Sequence, residues 1–111
     1  MKELTTEEKY EYFEETFNKF NTTLVNQSDD DIEYIIFEDI IDSVVSFLHP
    51  IVIDKLLDEK YINKEVYDLS CDFRKQFLEL EEKTLANATE IKGSHEWLEL
   101  MKLADVIKSK L

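Results

Sequence analysis

The sequence predicts an all-α fold, a compact bundle of about five helices. One observation is the near absence of turn residues: a single Gly and a single Pro in 111 residues, where average usage is about 7% and 5%. A second is the abundance of Glu, Lys and Leu, which favour helices joined by short turns over the turn-rich sandwiches and barrels. The third is the apolar spacing, which follows three- and four-residue steps along most of the chain.

The first helix begins at Thr5, where Glu8 three residues on completes a capping-box pattern. Tyr10, Phe13, Phe17, Phe20 and Leu24 then form one seam, and the helix gives way at Asn26-Gln27-Ser28. Ser28 or Asp29 caps a second helix, with Asp30 and Asp31 at the positive end of its dipole. This helix runs to about Leu48. Ile32, Ile36, Ile40, Val44 and Phe47 cover one side, and Tyr34, Phe37, Ile41 and Val45 an adjoining one. So wide an apolar surface predicts a central helix packed on two sides.

His49-Pro50 breaks the pattern, and Pro50 suits the first position of a short third helix carrying Ile53, Leu56 and Leu57. Asn63 caps the fourth, with Val66, Leu69, Phe73, Phe77 and Leu80 as its seam, and the pattern fades through residues 86–89. Gly93 supplies a turn, Ser94 a cap, and the last helix carries Trp97, Met101, Ala104 and Ile107. No repeat, low-complexity linker or boundary divides the chain, so residues 1–111 are expected to form a single helical domain.

The charge is lopsided. Residues 1–48 hold 13 acids and 3 bases, a net of −10, whereas residues 49–111 hold 13 acids and 10 bases, a net of −3. A field of this kind concerns partners and solubility rather than fold. It disfavours direct binding to nucleic acid or to anionic membrane, both of which need clustered Lys and Arg. Met1-Lys2-Glu3-Leu4 carries no apolar signal core, no apolar run approaches a membrane span, and Cys71 has no second cysteine to pair with. The expected location is the cytoplasm. Three Asn-x-Ser/Thr triplets, at Asn21, Asn26 and Asn87, are read as compositional.

No residue set spells out a reaction, and no catalytic, cofactor or metal site is expected. The positions three before His49 and His95 are Ser46 and Lys92, so neither histidine completes a Glu-x-x-His metal pair. Asp29-Asp30-Asp31 lacks the alternating ligands and central Gly of a calcium loop. Cys71 sits in mid-helix beside an acid that disfavours its thiolate, and one Gly cannot build a phosphate loop.

Surface recognition remains. At about 100° per residue, Asp31, Glu38, Asp39 and Asp42 fall on one polar arc of the second helix with Ile35 in its middle. An apolar anchor ringed by acids suits a cationic partner, the Ile entering a pocket while the acids steer. Glu8, Glu11 and Glu15 of the first helix add to the field. These acids mostly lack a Lys four residues on that would neutralise a merely solvated face.

Asp29-Asp30-Asp31-Ile32-Glu33-Tyr34-Ile35-Ile36-Phe37-Glu38 resembles the acidic-apolar binding helix of the colicin nuclease immunity family. The likeness covers one helix of five. That family's Tyr-Tyr-Pro segment is absent, with His49-Pro50-Ile51-Val52 in its place. More broadly the chain is similar to bacterial toxin-immunity proteins, including those of contact-dependent growth inhibition, which share a role and no common fold. The resemblance implies an immunity protein that binds a basic toxin domain, a nuclease, one to one and covers its catalytic surface. Two other roles fit the composition: a nucleic-acid mimic that inhibits a DNA- or RNA-binding protein, and a regulatory subunit that self-associates through its second helix.

Overall fold

The computed structural model describes residues 4–83 and 88–111. Six helices occur among them, five of them those expected, and no strand. Helix α1 (Thr6–Lys19) starts as its sequence dictates: the Glu8 N–H donates to Thr5 Oγ1 at 3.1 Å, and the Thr5 N–H donates to Glu8 Oε1 at 3.0 Å. It stops at Lys19, seven residues short of the expected Asn26, because Asn21 intercepts the backbone. The Asn21 amide donates to the carbonyls of Phe17 and Asn18, and its Oδ1 accepts from the Thr23 N–H. A short-polar side chain competing for backbone groups in this way ends helices. It also places the first glycosylation-type triplet on a buried, fully engaged amide. The seam continues regardless: Phe20 and Leu24 are buried from the 3₁₀ turn region, Thr22–Asn26 and its cap. Thr22 Oγ1 donates to Asp105 at 2.6 Å and fastens that turn to the last helix.

Helix α2 spans 29–47 in three parts: α-helical Asp29–Tyr34, π-helical Ile35–Ile40 and α-helical Ile41–Phe47. Ser28 caps it, accepting from the Asp31 N–H. The π segment answers a feature of the sequence. Ile32, Ile36, Ile40, Val44 and Leu48 are all fully buried, at an unbroken spacing of four. On an α-helix each four-residue step drifts about 40°, so four steps would sweep about 160° around the axis. One wider turn absorbs a residue and keeps the line facing the core.

That line is the only side α2 buries completely. Tyr34 and Val45, expected on a second packed side, are 58% and 47% exposed, and Phe37, Ile41 and Phe47 are half-buried. The helix lies on the bundle rather than through its centre.

Helix α3 (Pro50–Asp58) has Pro50 in its first turn and His49 as its cap, with His49 Nδ1 accepting from the Ile51 N–H at 3.2 Å. Helix α4 (Lys64–Lys83) is capped by Asn63, whose side chain accepts from the Val66 N–H. Its buried line is Val66, Ser70, Phe73 and Phe77, a 4-3-4 spacing, while Leu69 and Leu80 flank it half-buried. Helix α5 (Ala88–Gly93) was not expected as a helix, and the fading at 86–89 falls partly outside the described residues. Gly93 closes α5 without a positive φ, and a Cβ there would meet nothing within 4 Å, so no glycine-specific turn is needed. Ser94 caps helix α6 (His95–Ser109), which buries Trp97, Leu100, Met101, Ala104 and Ile107.

Every helix contributes to one apolar cluster. At its centre the rings of Phe17, Phe20, Phe73, Phe77 and Trp97 meet edge to face or tilted at 5.2–6.1 Å, with Phe73 and Phe77 stacked at 6.0 Å. Such pairs add about 0.5–1.5 kcal/mol each beyond the area they bury. Ser70 is the exception beside it, fully buried with a hydroxyl that finds no hydrogen-bond partner among the described residues. An unsatisfied buried hydroxyl costs about 1–3 kcal/mol. Ser70→Ala is therefore expected to leave stability unchanged or to raise it by about 1 kcal/mol, read from the urea midpoint. A loss above about 1 kcal/mol would show that the hydroxyl is satisfied after all.

Candidate acidic interface on the first two helices

The acids of α1 and α2 do not form one uniform face, because several are already employed. Glu8 is held in the cap of α1. Lys19 reaches between the helices, 3.2 Å from Glu15 and 3.0 Å from Asp39, so Glu15 does have a lysine four residues on. The hydrogen bond to Asp39 is the main cause of the raised Lys19 pKa, and burial works against it. This bridge and the stacking of Tyr12 on Phe47, with centroids 4.6 Å apart and planes at 14°, hold α1 against α2. Between them runs a groove of about 200 Å³ lined by Tyr12, Lys19, Asp39, Asp42 and Ser46 among others. Exposed pairs of this kind contribute little to stability; here the one lysine offsets one of the two charges of Glu15 and Asp39 and leaves a net of −1 shared between them.

Glu11, Asp31, Glu38 and Asp42 are exposed and carry no ion pair among the described residues. Asp29 pairs with Lys92 of α5 at 2.8 Å. The unpaired acids named here are therefore Glu11 on α1, Asp31 and Glu38 on α2, and Asp42 at the groove between the two helices.

Ile35 is not the exposed anchor that the helical wheel placed there. It is half-buried, packed against the core, and lines a shallow concavity with Leu24, Gln27 and Asp39. The wheel assumes a constant 100° per residue, and the π segment begins at Ile35 itself. From there the angular positions slip, so Asp31 and Asp42 no longer share the arc that a uniform helix would give them.

An aromatic side chain takes the exposed position instead. Tyr34 is 58% exposed, and with Phe37, Asp30, Glu33 and Glu38 it lines a second concavity of about 310 Å³. The sequence signal for it is the spacing of four that begins at Ile32 and Ile36: at about 100° per residue Tyr34 lies roughly opposite both.

Other reactive groups are subdued. Burial, then the carboxylates of Asp68 and Asp54, pushes the Cys71 thiol up. The disfavouring acids thus lie one turn back and on α3, not at the adjacent Asp72. The Tyr67 hydroxyl donates to Asp54, and this bond pushes its pKa to about 12. Among the described residues, no three His, Cys, Asp or Glu side chains come together to hold a metal ion, and no helix is long and apolar enough to cross a membrane. What α1 and α2 offer is an exposed ring, Tyr34, and the carboxylates of Glu11, Asp31, Glu38 and Asp42, which carry no ion pair among the described residues. No protein-family model, curated protein or solved structure matches this chain.

Proposed function

We propose that this protein is a cytoplasmic inhibitor that binds a basic protein domain through the outer side of α1 and α2, and that its role is that of an immunity protein against a toxin nuclease. The observation that carries this reading is the segregation of charge. A net −10 lies in residues 1–48, and Glu11, Asp31, Glu38 and Asp42 there are exposed without counter-ions among the described residues. Nucleases present cationic surfaces to hold phosphate, and a complementary negative field accelerates encounter by about 10- to 1,000-fold while excluding anionic competitors. Covering such a surface needs no chemistry from the inhibitor.

The test begins with capture of the binding partner from the native cells at low salt, followed by kinetics with that purified partner. Glu38→Lys combined with Asp42→Lys is expected to slow association by about tenfold or more at low salt, with the difference shrinking as salt screens it. An unchanged association rate rejects this surface. Displacement of the partner by plain duplex DNA, with a housekeeping nucleic-acid-binding protein as the partner, would replace immunity with mimicry. Capture of the chain alone, together with a dimeric sedimentation profile, would replace both with self-association.

A further inference from the structure

The concavity around Tyr34 has a composition that selects among cations. Tyr34 makes no ring contact and no hydrogen bond among the described residues, whereas the other exposed ring of this surface, Tyr12, is stacked on Phe47. Phe37 lies half-buried beside it, and the carboxylates of Asp30 and Glu38 stand exposed at the rim. The hollow, about 310 Å³, is wide open to solvent, so it offers one face of the ring rather than an enclosed cavity.

A guanidinium group fits this description better than an ammonium. It is planar and weakly hydrated, stacks on an aromatic face, and directs in-plane N–H donors at flanking carboxylates. A lysine ammonium is a compact, strongly hydrated point charge that gains less from the ring. An aromatic–arginine pair is also the kind of contact that anchors interfaces. We propose that the Tyr34 concavity is the anchor pocket for an arginine side chain of the basic partner, with the ring stacking on the guanidinium and Asp30 and Glu38 accepting from it. This rests on the acidic-surface reading above, and the remaining acids then act as steering charges.

Octa-arginine and octa-lysine peptides are suitable probes, titrated at low salt while the backbone amide resonances are followed. Octa-arginine is expected to bind about threefold tighter than octa-lysine, with shifts concentrated at residues 30–38. Tyr34→Ala is expected to bring the two affinities together while leaving salt-sensitive binding of both, and Tyr34→Phe to keep the preference. Tyr34 is a surface side chain, so circular dichroism of both variants should match the wild type. An arginine preference that survives Tyr34→Ala, or shifts centred on Glu11 and Asp42 instead, overturns the anchor and leaves the acidic surface standing. Failure of both peptides to bind the wild type at low salt overturns the acidic surface itself, and the anchor with it.

Discussion

Phe20→Ala is expected to lower the melting temperature by more than about 10 °C. Phe20 is fully buried and its ring meets Phe73 and Phe77 at 5.5 Å and Trp97 at 6.1 Å. It therefore joins the end of α1 to both α4 and α6. Truncating a buried Phe costs about 3–5 kcal/mol, because the surroundings collapse only partly into the vacated space. Domains of this size are stable by about 5–15 kcal/mol, so the loss is a large share of the whole, and each kcal/mol moves the midpoint by about 4 °C. Phe20 also sits outside the helix, in extended backbone at the cap of α1, so no change in helix propensity confuses the result. Ile51→Ala is the matched control: Ile51 is 74% exposed and its truncation should fall within about 0.5 kcal/mol of the wild type. Calorimetry of the two variants checks the pair. A wild-type midpoint for Phe20→Ala would mean that α1, α4 and α6 do not meet at this ring cluster.

The same residue shows how the sequence could be read and where it misled. Phe20 and Leu24 belong to the core because the apolar spacing continues through them, and periodicity reports burial whether or not the backbone stays helical. The end of α1 was hidden because it depends on Asn21, whose amide turns back onto the carbonyls of Phe17 and Asn18. Nothing in composition separates a helical Asn from a terminating one. Caps were legible at Thr5, Ser28, Asn63 and Ser94, since each requires a particular short side chain at a particular offset, and the start of α3 was legible at Pro50, though the capping by His49 was not. Helix α5 was not legible: at six residues it is too short to stand by its own propensity and depends on contacts made elsewhere.

The candidate site was legible as charge and illegible as geometry. Asp31, Glu38 and Asp42 are exposed, as isolated carboxylates go to water, although the sequence left the exposure of this face open. The pairing of Asp39 with Lys19 joins residues 20 apart in sequence, which no local pattern reveals. Ile35 was misplaced because the polar arc was drawn through residues on both sides of the wide turn that starts there, and Tyr34 because it lies roughly opposite Ile32 and Ile36.

That wide turn makes a deletion the most discriminating test of the fold. Removing one residue from a buried helix normally turns everything beyond it by about 100° and empties the core of its own side chains. Deleting Gln76 in α4 should do this: Phe77 would leave the line set by Val66 and Phe73, and unfolding is expected. Deleting Glu38 should not, because the π segment already contains one residue more than an α-helix needs. Its loss converts the spacing from Ile36 to Ile40 from four to three. On a uniform α-helix the five buried positions from Ile32 to Leu48 then spread over about 80° instead of about 160°. That width fits inside an ordinary core-facing stripe of about 100°. The Glu38 deletion is accordingly expected to remain folded, within about 2 kcal/mol of the wild type by urea unfolding, while its helical circular dichroism is retained. It would also remove one rim carboxylate of the Tyr34 concavity and rotate Tyr34 relative to Asp39 and Asp42. Binding should therefore fall although the fold survives. Equal damage from the two deletions would mean that residues 35–40 hold an ordinary α-helical register, and the placement of Tyr34 and Ile35 would have to be redrawn.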